Sequence, residues 1–375
     1  MPASYSYIHI GILTATTLAC LLSLPSSPLK KKRVPQRNKL PSNLDAWRWT
    51  QDDEEYNTVW DELRPLLEQH GFRLWRRAFG HQAQDDGHCP CDNFLFLTPD
   101  KTRNLSIVRW RNFLRFNGLS HAARNVHARR DVVLRVVTAG GEGQNHLRII
   151  RRLSSPPDVL MSNNHILPII YDMTFQDISI LAFPKLIFNV QEAMDTDIAN
   201  TVEDVLYMIV QAFEGVGYLH RNLIGHRDLF LNNFMVGWMP MSLSGRSLTR
   251  PRVYIIDFET AVDFSDDCVE SERLCSEHPF GNDFDLEDYG RQLAPELSGD
   301  IQPYCPFKLD LWQLGSDLRD NFQTGVLELD QLWSSLALPV PENRMTAGDV
   351  LAFLDEYLRK TPSYELDRPI TSVVQ

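Results

Sequence analysis

The chain has few cysteines, and they lack the regular spacing of a small disulfide-bonded scaffold. Its 375 residues contain six of them, at Cys20, Cys89, Cys91, Cys268, Cys275 and Cys305. Reduced thiols are therefore the default expectation, which fits a cytosolic environment. A zinc site at residues 88–91, with His81 nearby, would need a second cysteine pair that is missing, so this stretch indicates a loop with incidental cysteines.

Basic residues are also scarce relative to acidic ones. The sequence has 37 Lys and Arg against 49 Asp and Glu, for a formal net charge of −12. Because duplex binding needs clustered Lys and Arg to displace counterions, this balance argues against nucleic acid as a partner. Two local basic clusters remain. Residues 30–33 fit a nuclear import signal or a membrane-facing flank, and residues 124–130 are interpreted as a solvated loop.

The sequence has no long apolar run free of polar residues. Residues 7–24 come nearest, but they include His9 and several Thr and Ser, and a spanning helix needs roughly 20 apolar residues. No basic residue precedes them, as a secretory leader would require. An anchor, a cleaved signal and a disordered extension all stay open. We expect a cytoplasmic or nuclear protein, or one anchored through residues 7–24 with its domain in the cytosol.

A predicted helix and a predicted hairpin are each followed by residues with carboxylate or amide side chains. Helical spacing over residues 202–216 predicts a helix that leads into Asp228 and Asn233. Apolar runs at 234–236 and 253–256 predict a hairpin with a long connection, and Asp257 follows the second run. The two carboxylates and the amide are therefore predicted at adjoining loop ends. Phosphoryl transfer needs such groups, because its catalysis reduces to holding Mg²⁺ and aiming a nucleophile.

The order of these and later motifs resembles the protein kinase superfamily. The matching stretches, over roughly residues 130 to 360, are His226-Arg227-Asp228 with Asn233, Asp257-Phe258-Glu259, Ala294-Pro295-Glu296, Asp310-Leu311-Trp312-Gln313-Leu314-Gly315 and Asn343-Arg344-Met345-Thr346-Ala347. Residues 303–310 give a further likeness to divergent fungal kinase-like proteins.

The resemblance implies an α+β, two-lobed protein kinase-like fold. Its small, β-rich N-lobe would carry one helix, and its larger C-lobe would be mainly helical. The chain then divides into 1–43, an N-terminal extension with the apolar segment and basic run; 44–186, an N-terminal helix and the small lobe; 187–361, the large lobe; and 362–375, a polar C-terminal tail. Trp60, Leu63 and Leu67, at helical spacing and followed by Gly71, predict the helix that packs on the small lobe.

The resemblance also implies a site for ATP and Mg²⁺. Asp228 would accept the proton of a protein hydroxyl, while Asn233 and Asp257 would hold the metal. Arg135, on a predicted strand, would face the phosphates. Residues 166–170 and 178–183 read as paired strands, and the hinge after them would hold adenine through backbone groups in an apolar slot. The hinge residues are Phe183, Pro184, Lys185 and Leu186.

Further matching residues would have structural or regulatory roles. His226 would pack beneath the metal-binding segment, Glu296 would pair with Arg344, and Asp310 would brace the loop that carries Asp228. Arg227 is expected to be neutralised by an acidic or phosphorylated segment. The candidates are Asp263, Asp266, Asp267, Glu270 and Glu272, or a phosphate on Ser265, Ser271 or Ser276.

Departures from the kinase pattern gather around the phosphates. Arg135 stands where the pattern has Lys, and a planar guanidinium is not equivalent to a compact ammonium. In a helix predicted at residues 144–153, His146 replaces the Glu that would pair with that Lys. Glu259 replaces Gly, Phe230 replaces a Lys common in serine/threonine kinases, and no Gly-x-Gly-x-x-Gly precedes Arg135.

Two functions from different classes follow. The first is a protein kinase-like enzyme that transfers the γ-phosphate of ATP to a protein hydroxyl, Ser or Thr rather than Tyr. Retention of Asp228, Asn233 and Asp257 favours it. The alternative is a pseudokinase, a binding or scaffold module whose surfaces recruit partner proteins. Loss of the glycine loop, the Lys and the Glu favours this second function.

Overall fold

The computed structural model describes residues 34–50, 52–78, 81–83, 112–186, 188–194, 200–237, 251–281, 289–369 and 371–372. The predictions made for residues 7–24, 30–33 and 88–91 lie outside these ranges. The architecture of the described residues is mixed α+β, with one five-stranded antiparallel sheet, two three-stranded sheets, two strand pairs and a group of helices.

The secondary structure elements are numbered here in chain order. The strands are β1 Phe72–Leu74, β2 Arg76–Ala78, β3 His81–Ala83, β4 Asn112–Phe113, β5 Ser120–Asn125, β6 Arg130–Thr138, β7 Tyr171–Phe175, β8 Ile178–Pro184, β9 Phe188–Asn189, β10 Ile224–Gly225, β11 Phe234–Val236, β12 Val253–Ile255, β13 Val262–Asp263, β14 Phe322–Gln323 and β15 Thr371–Ser372. The α-helices are α1 Leu44–Arg48, α2 Asp53–Gln69, α3 Gln144–Leu153, α4 Val190–Met194, α5 Val202–Arg221, α6 Pro306–Asn321, α7 Leu327–Leu336, α8 Ala347–Lys360 and α9 Ser363–Leu366.

The largest sheet has the order β1-β5-β6-β8-β7, with every neighbouring pair antiparallel. Along β6, Val132, Leu134 and Val136 are fully buried in one core together with α2. Because side chains alternate between the faces of a strand, Arg135 points to the opposite face. That alternation directs Arg135 toward the rest of the molecule.

Helix α2 has a well-defined start and end. The Asp52 carboxylate accepts the backbone N–H groups of Glu54 and Glu55, which caps the helix. Gly71, with φ +80°, follows its last turn in a conformation that glycine adopts without strain. Trp60, Leu63 and Leu67 are buried, in agreement with their predicted helical spacing.

A second core surrounds α5. Thr201 and Asp204 form a reciprocal capping box at its first turn, and α5 packs against α8 and β12. Strands β11 and β12 pair antiparallel as the predicted hairpin, with Phe234 opposite Ile255. This hairpin and the loop that follows α5 carry the candidate site.

Two predictions about the first half of the chain are wrong. Residues 166–170 form no strand beyond one parallel bridge of Ile166 to Ile255, because Pro168 lacks an amide donor. Strand β7 starts only at Tyr171. Residues 124–130 are not simply a solvated loop, since Arg124 lies in β5 and pairs with buried Asp131 at 2.5 Å.

Residues of the predicted N-terminal extension and of the predicted C-terminal tail both pack against the rest of the structure. Arg37 donates two hydrogen bonds to Asp177, at 2.6 and 2.8 Å. At the other end, β15 pairs with β14, and the Val202 amide donates to the Arg368 carbonyl at 2.9 Å. Among the described residues, no helix has the length and apolar character to cross a membrane.

Candidate functional site

One helix holds the backbone of the loop at residues 226–233, hereafter the polar loop. The fully buried Asp310 of α6 accepts the backbone N–H of His226 at 3.0 Å and that of Arg227 at 2.6 Å. His220, at the end of α5, contacts the same carboxylate at 2.9 Å. Asp310 therefore braces this loop, in the position that the resemblance implied.

Two further residues of α6 share this task and were missed in the sequence. The Leu229 amide donates to Gln313 Oε1 at 2.9 Å, and Gln313 Nε2 donates to the Arg227 carbonyl at 2.9 Å. The Leu231 amide donates to Asp317 Oδ2 at 2.7 Å. With Asp310, these residues recur at i, i+3 and i+7 and so share one helix face. Polar residues at that spacing in a mostly buried helix were the available signal.

Asp228 and Asn233 are bonded to each other inside the polar loop. Asn233 Nδ2 donates to both the backbone carbonyl and Oδ2 of Asp228, each at 2.8 Å. Both residues are buried, and burial raises the pKa of the Asp228 carboxyl. A raised pKa suits a group that accepts a proton. The amide nitrogen of Asn233 is committed to Asp228, which leaves its Oδ1 to face a ligand.

Asp257 lies beside this pair because of the hairpin. The Ile256 amide donates to the Asn233 carbonyl at 3.0 Å, so the ends of β11 and β12 bring the two side chains to one place. The charge of Asp257 is one of the factors that raise the pKa of Asp228. Asp257 and Arg227 both have φ of 66°, a conformation rare outside glycine that concentrates at functional sites.

His226 packs beneath this group of residues. Its ring is fully buried, contacts Phe258 edge-on at 4.8 Å between centroids, and approaches the Ile256 carbonyl with Nε2 at 2.9 Å. The His226 carbonyl accepts the Thr260 hydroxyl at 2.8 Å. These contacts tie the polar loop to the segment after β12.

Arg135 joins a group of four charged side chains, hereafter the ion cluster. Its Nη2 donates to Asp257 Oδ1 at 2.8 Å and lies 3.3 Å from Glu259 Oε1. Arg48 of α1 completes the cluster through Glu259 Oε2 at 3.2 Å. Burial disfavours the charged guanidinium, but Asp257 and Glu259 outweigh it and leave the pKa of Arg135 above its ordinary value. Glu259 therefore acts as a carboxylate partner of Arg135.

His146 on α3 contributes no charge to the ion cluster. It is buried, and neither ring nitrogen has a hydrogen-bond partner. Burial, and then the neighbouring Arg135 charge, lower the pKa of His146 to about 3. Within the described part of the chain no ion pair joins α3 to Arg135. Glu259, on another segment, supplies the carboxylate that the resemblance placed on this helix.

The predicted adenine segment offers few backbone donors. Pro184 has no amide hydrogen, and the Lys185 amide donates to the Asp131 carbonyl at 3.2 Å as an extension of the sheet. Phe183 is buried, while Leu186 is half-buried against the core around α5. The backbone carbonyls and the Leu186 amide remain as candidate contacts for a base.

The Lys185 side chain is buried behind this segment. Its ammonium lies 5.2 Å from the centre of the Trp75 ring. Burial lowers the pKa of Lys185 to about 8. This lysine therefore loses its charge at a lower pH than an exposed lysine does.

Arg227 has uncharged partners. It donates to the Thr260 carbonyl at 2.7 Å and to the Tyr304 hydroxyl at 3.3 Å, and that hydroxyl donates to the Glu277 carbonyl at 2.9 Å. The predicted pairing with a carboxylate of residues 263–272 is wrong for the described structure, since none of them pairs with Arg227. Asp263 forms an ion pair with Arg148 instead. Pairing with a phosphoserine stays a prediction.

The implied pair of Glu296 and Arg344 is present and buried. Two parallel bonds join them at 2.5 and 2.8 Å, and Arg344 also donates to the carbonyls of Leu338 and Lys308. Bidentate pairs of this kind combine charge with fixed geometry. This pair fixes the segment after residue 294 against α6.

Arg291 is a site residue that the sequence did not reveal. Its Nη1 lies 3.2 Å from Asp228 Oδ1. Its guanidinium stacks over the Phe230 ring at 4.5 Å. No pattern in the sequence marks a cation about sixty residues away as a neighbour of Asp228.

The ligand set for a divalent cation is small. The described residues contain no cluster of three or more His, Cys, Asp or Glu suited to a metal. Asp257 and Asn233 together offer a carboxylate and an amide oxygen. Mg²⁺ is commonly held by one or two such protein oxygens, with water and phosphate completing its shell. The residues present therefore fit a magnesium ion that arrives with a phosphate ligand.

Comparison with known proteins gives no family for the chain. No family model matches it, and no curated protein matches it.

Proposed function

We propose that the protein is a protein kinase-like phosphotransferase that moves the γ-phosphate of ATP to a protein hydroxyl, Ser or Thr rather than Tyr. The observation that carries the proposal is the meeting of Asp228, Asn233 and Asp257. The first two are joined at 2.8 Å, and the hairpin delivers the third. These are the groups that phosphoryl transfer needs, on a backbone that α6 holds in place.

The architecture supports the proposal through its two cores. One core joins α2 to the five-stranded sheet, as a small lobe would, and the other is built on α5 with α6 to α8, as a large lobe would be. Arg135 lies on the five-stranded sheet, and Asp228 and Asn233 lie on the helical side. Helix α3 contacts β6 and packs its apolar side chains in the core around α5. A site between two such lobes is the arrangement that the resemblance implies.

Asp228 supplies the acid–base chemistry of the proposed reaction. The substrate hydroxyl oxygen bonds to the γ-phosphorus, the bond from that phosphorus to the β–γ bridging oxygen breaks, and ADP leaves with the electron pair. The hydroxyl proton passes to Asp228. General-base positioning of this kind contributes roughly 10² to 10⁴ in rate.

Asn233 and Asp257 would hold Mg²⁺ through oxygen atoms. The ion, when bound, neutralises charge on the phosphate oxygens. Asp257 Oδ1 is engaged by Arg135, so Oδ2 is its available ligand atom. Arg135 itself lies next to this carboxylate and would contact the phosphates, while residues 183–186 would border the adenine.

The ion cluster favours a second candidate, a binding module without turnover. Arg135 already places a positive charge on Asp257, where a metal would otherwise bind. Glu259 adds a negative charge beside the phosphate position. A pseudokinase that recruits partner proteins would retain the fold and these ion pairs of Arg135 with Asp257 and Glu259.

Nucleotide binding and phosphoryl transfer separate the two candidates. We expect the thermal unfolding temperature to rise with ATP and Mg²⁺ together more than with ATP alone, and Asp257→Asn to abolish the difference. We expect transfer to a generic protein substrate, lost in Asp228→Asn. The matched control is Asp355→Asn, because Asp355 forms an exposed pair with Arg359 on α8. Binding without transfer would support the module, and no response to ATP and Mg²⁺ would contradict the proposed enzyme.

A further inference from the structure

We propose that Arg291 is a catalytic residue that contacts the transferred phosphate beside Asp228. The proposal rests on the proposed phosphotransferase function and deepens it. It assigns a cationic role to a residue that comes from the segment before residues 294–296 and not from the polar loop.

The geometry of the Arg291–Asp228 contact is the first argument. Arg291 Nη1 and Asp228 Oδ1 are 3.2 Å apart, yet both atoms are buried and neither makes a hydrogen bond. A buried donor without an acceptor destabilises the folded state. The two charges attract each other at this distance, but Nη1 donates to no acceptor among the described residues. This leaves an N–H that can donate to a third group.

The support beneath Arg291 is the second argument. Its guanidinium carbon lies over the Phe230 ring, 4.5 Å from the ring centre, and Phe230 in turn contacts Tyr289 edge-on. Both aromatic rings are buried. A guanidinium over an aromatic ring keeps N–H groups whose fork geometry matches phosphate oxygens. Phe230 therefore serves as the platform for a cation.

Exposure is the third argument. About 24% of the Arg291 side chain is accessible, against 9% for the Asp228 side chain. Arg291 thus keeps part of its side chain accessible while its Nη1 lies against the buried carboxylate. A protein hydroxyl and the γ-phosphate would meet on this accessible side. The Asp228 carboxylate repels the phosphate. The positive charge of Arg291 offsets that repulsion where the hydroxyl oxygen attacks the γ-phosphorus.

The step assigned to Arg291 leaves the bond changes of the proposed transfer as they are. The hydroxyl oxygen bonds to the γ-phosphorus, the bond to the bridging oxygen breaks with its electron pair going to ADP, and Asp228 takes the proton. Arg291 donates an N–H to an equatorial oxygen of the γ-phosphate throughout. Its contribution is electrostatic, and it neither gains nor loses a proton.

Three variants and one control test the proposal in the full chain. Arg291→Ala removes the cation and Arg291→Lys keeps its charge. The double change Phe230→Lys with Arg291→Ala returns a cation to the platform position. Arg359→Ala is the control, because it removes an equal charge from the exposed face of α8. The readouts are kcat, KM for ATP, and the shifts in unfolding temperature with ATP and with ADP, each with Mg²⁺.

We expect Arg291→Ala to lower kcat by roughly 10²- to 10³-fold, as loss of one preorganised transition-state donor does elsewhere. Arg291→Lys should lose less, and the double change should recover part of the loss. The control should match the wild type. Unchanged kcat in Arg291→Ala would overturn the proposal. Increased kcat would overturn it too, because Arg291 would then block access to Asp228. Equal losses in all three variants would overturn it as well.

The ATP and ADP shifts keep the proposal testable in a chain without turnover. If Arg291 contacts the γ-phosphate, the unfolding temperature rises more with ATP than with ADP. Arg291→Ala should lose this difference, and the control Arg359→Ala should keep it. If transfer is absent but this pattern appears, the enzyme proposal fails while the Arg291 contact stands. If the excess survives in Arg291→Ala, or no nucleotide binds, the Arg291 proposal fails.

Discussion

The polar loop and the ion cluster are stabilised by different kinds of contact. In the polar loop, side chains of one helix bond backbone atoms, and the Asp310 side chain that makes two of these contacts is fully buried. In the ion cluster, side chains from α1, β6 and the segment after β12 bond one another, at 16–36% exposure. One region is fixed by backbone geometry, while the other depends on the balance of charge.

This difference matches the positions at which the sequence differs from the kinase pattern that it resembles. Asp310 must meet two amides whose positions the fold sets, so another residue type would leave donors unsatisfied. Arg135 needs only a nearby carboxylate, and a charge can be supplied from more than one direction. Glu259 does so here in place of the helical residue at His146. The charge-based region therefore tolerates exchange of its members more readily.

Removal of the Asp310 carboxylate is the strongest test of the backbone-held region. Asp310→Ala leaves the amides of His226 and Arg227 without an acceptor. At about 1–3 kcal/mol for each buried donor, we expect a loss of about 2–6 kcal/mol in the free energy of unfolding. Urea titration measures it, with Asp355→Ala on the exposed face of α8 as the control. A loss no larger than that of the control would remove the contrast between the two regions.

Acidification tests the neutral histidine beside the ion cluster. Burial lowers the pKa of both His146 and His121 to about 3, so each is neutral when folded and charged when unfolded below about pH 6.5. The unfolded state binds more protons in that window, and stability therefore falls as pH drops from about 6.5 toward 3. Each histidine contributes up to about 1.4 kcal/mol per pH unit.

Urea unfolding at pH 7, 6 and 5 gives the measured slope. His146→Leu should remove its share of the slope and leave that of His121, which stacks on Tyr56 in the other core. If His146→Leu leaves the pH dependence intact, His146 is already protonated, and Glu259 outweighs Arg135 in the charge balance at that position.

A carboxylate returned to α3 should have the smallest effect and would sharpen the comparison. In His146→Glu the new side chain lies near Arg135 and competes for it with Asp257. We expect Asp257 to bind Mg²⁺ more freely, and ATP with Mg²⁺ to bind about fivefold more tightly, near the 1 kcal/mol that a partly exposed ion pair contributes. Calorimetric titration measures the affinity, and His146→Gln is the uncharged control. An equal gain in both variants would mean that charge is not the cause.

Local pattern was enough to predict several parts of the structure. The helix over Trp60, Leu63 and Leu67 and the hairpin before Asp257 follow from periodicity and are present. Strand 166–170 was misplaced because apolar composition outweighed the missing amide of Pro168. The partners of Arg227 were also wrong, since an acidic composition nearby does not place a carboxylate within reach.

The sequence by itself determined which side chains can do chemistry and which elements carry them, because periodicity and motif order are local properties of the chain. The tertiary structure alone decided the partners. Gln313 and Asp317 hold the polar loop, Glu259 joins Arg135, and Arg291 reaches Asp228. Such pairings depend on how distant segments pack against one another, and the energy of a charge or a hydrogen bond depends on that proximity and on burial.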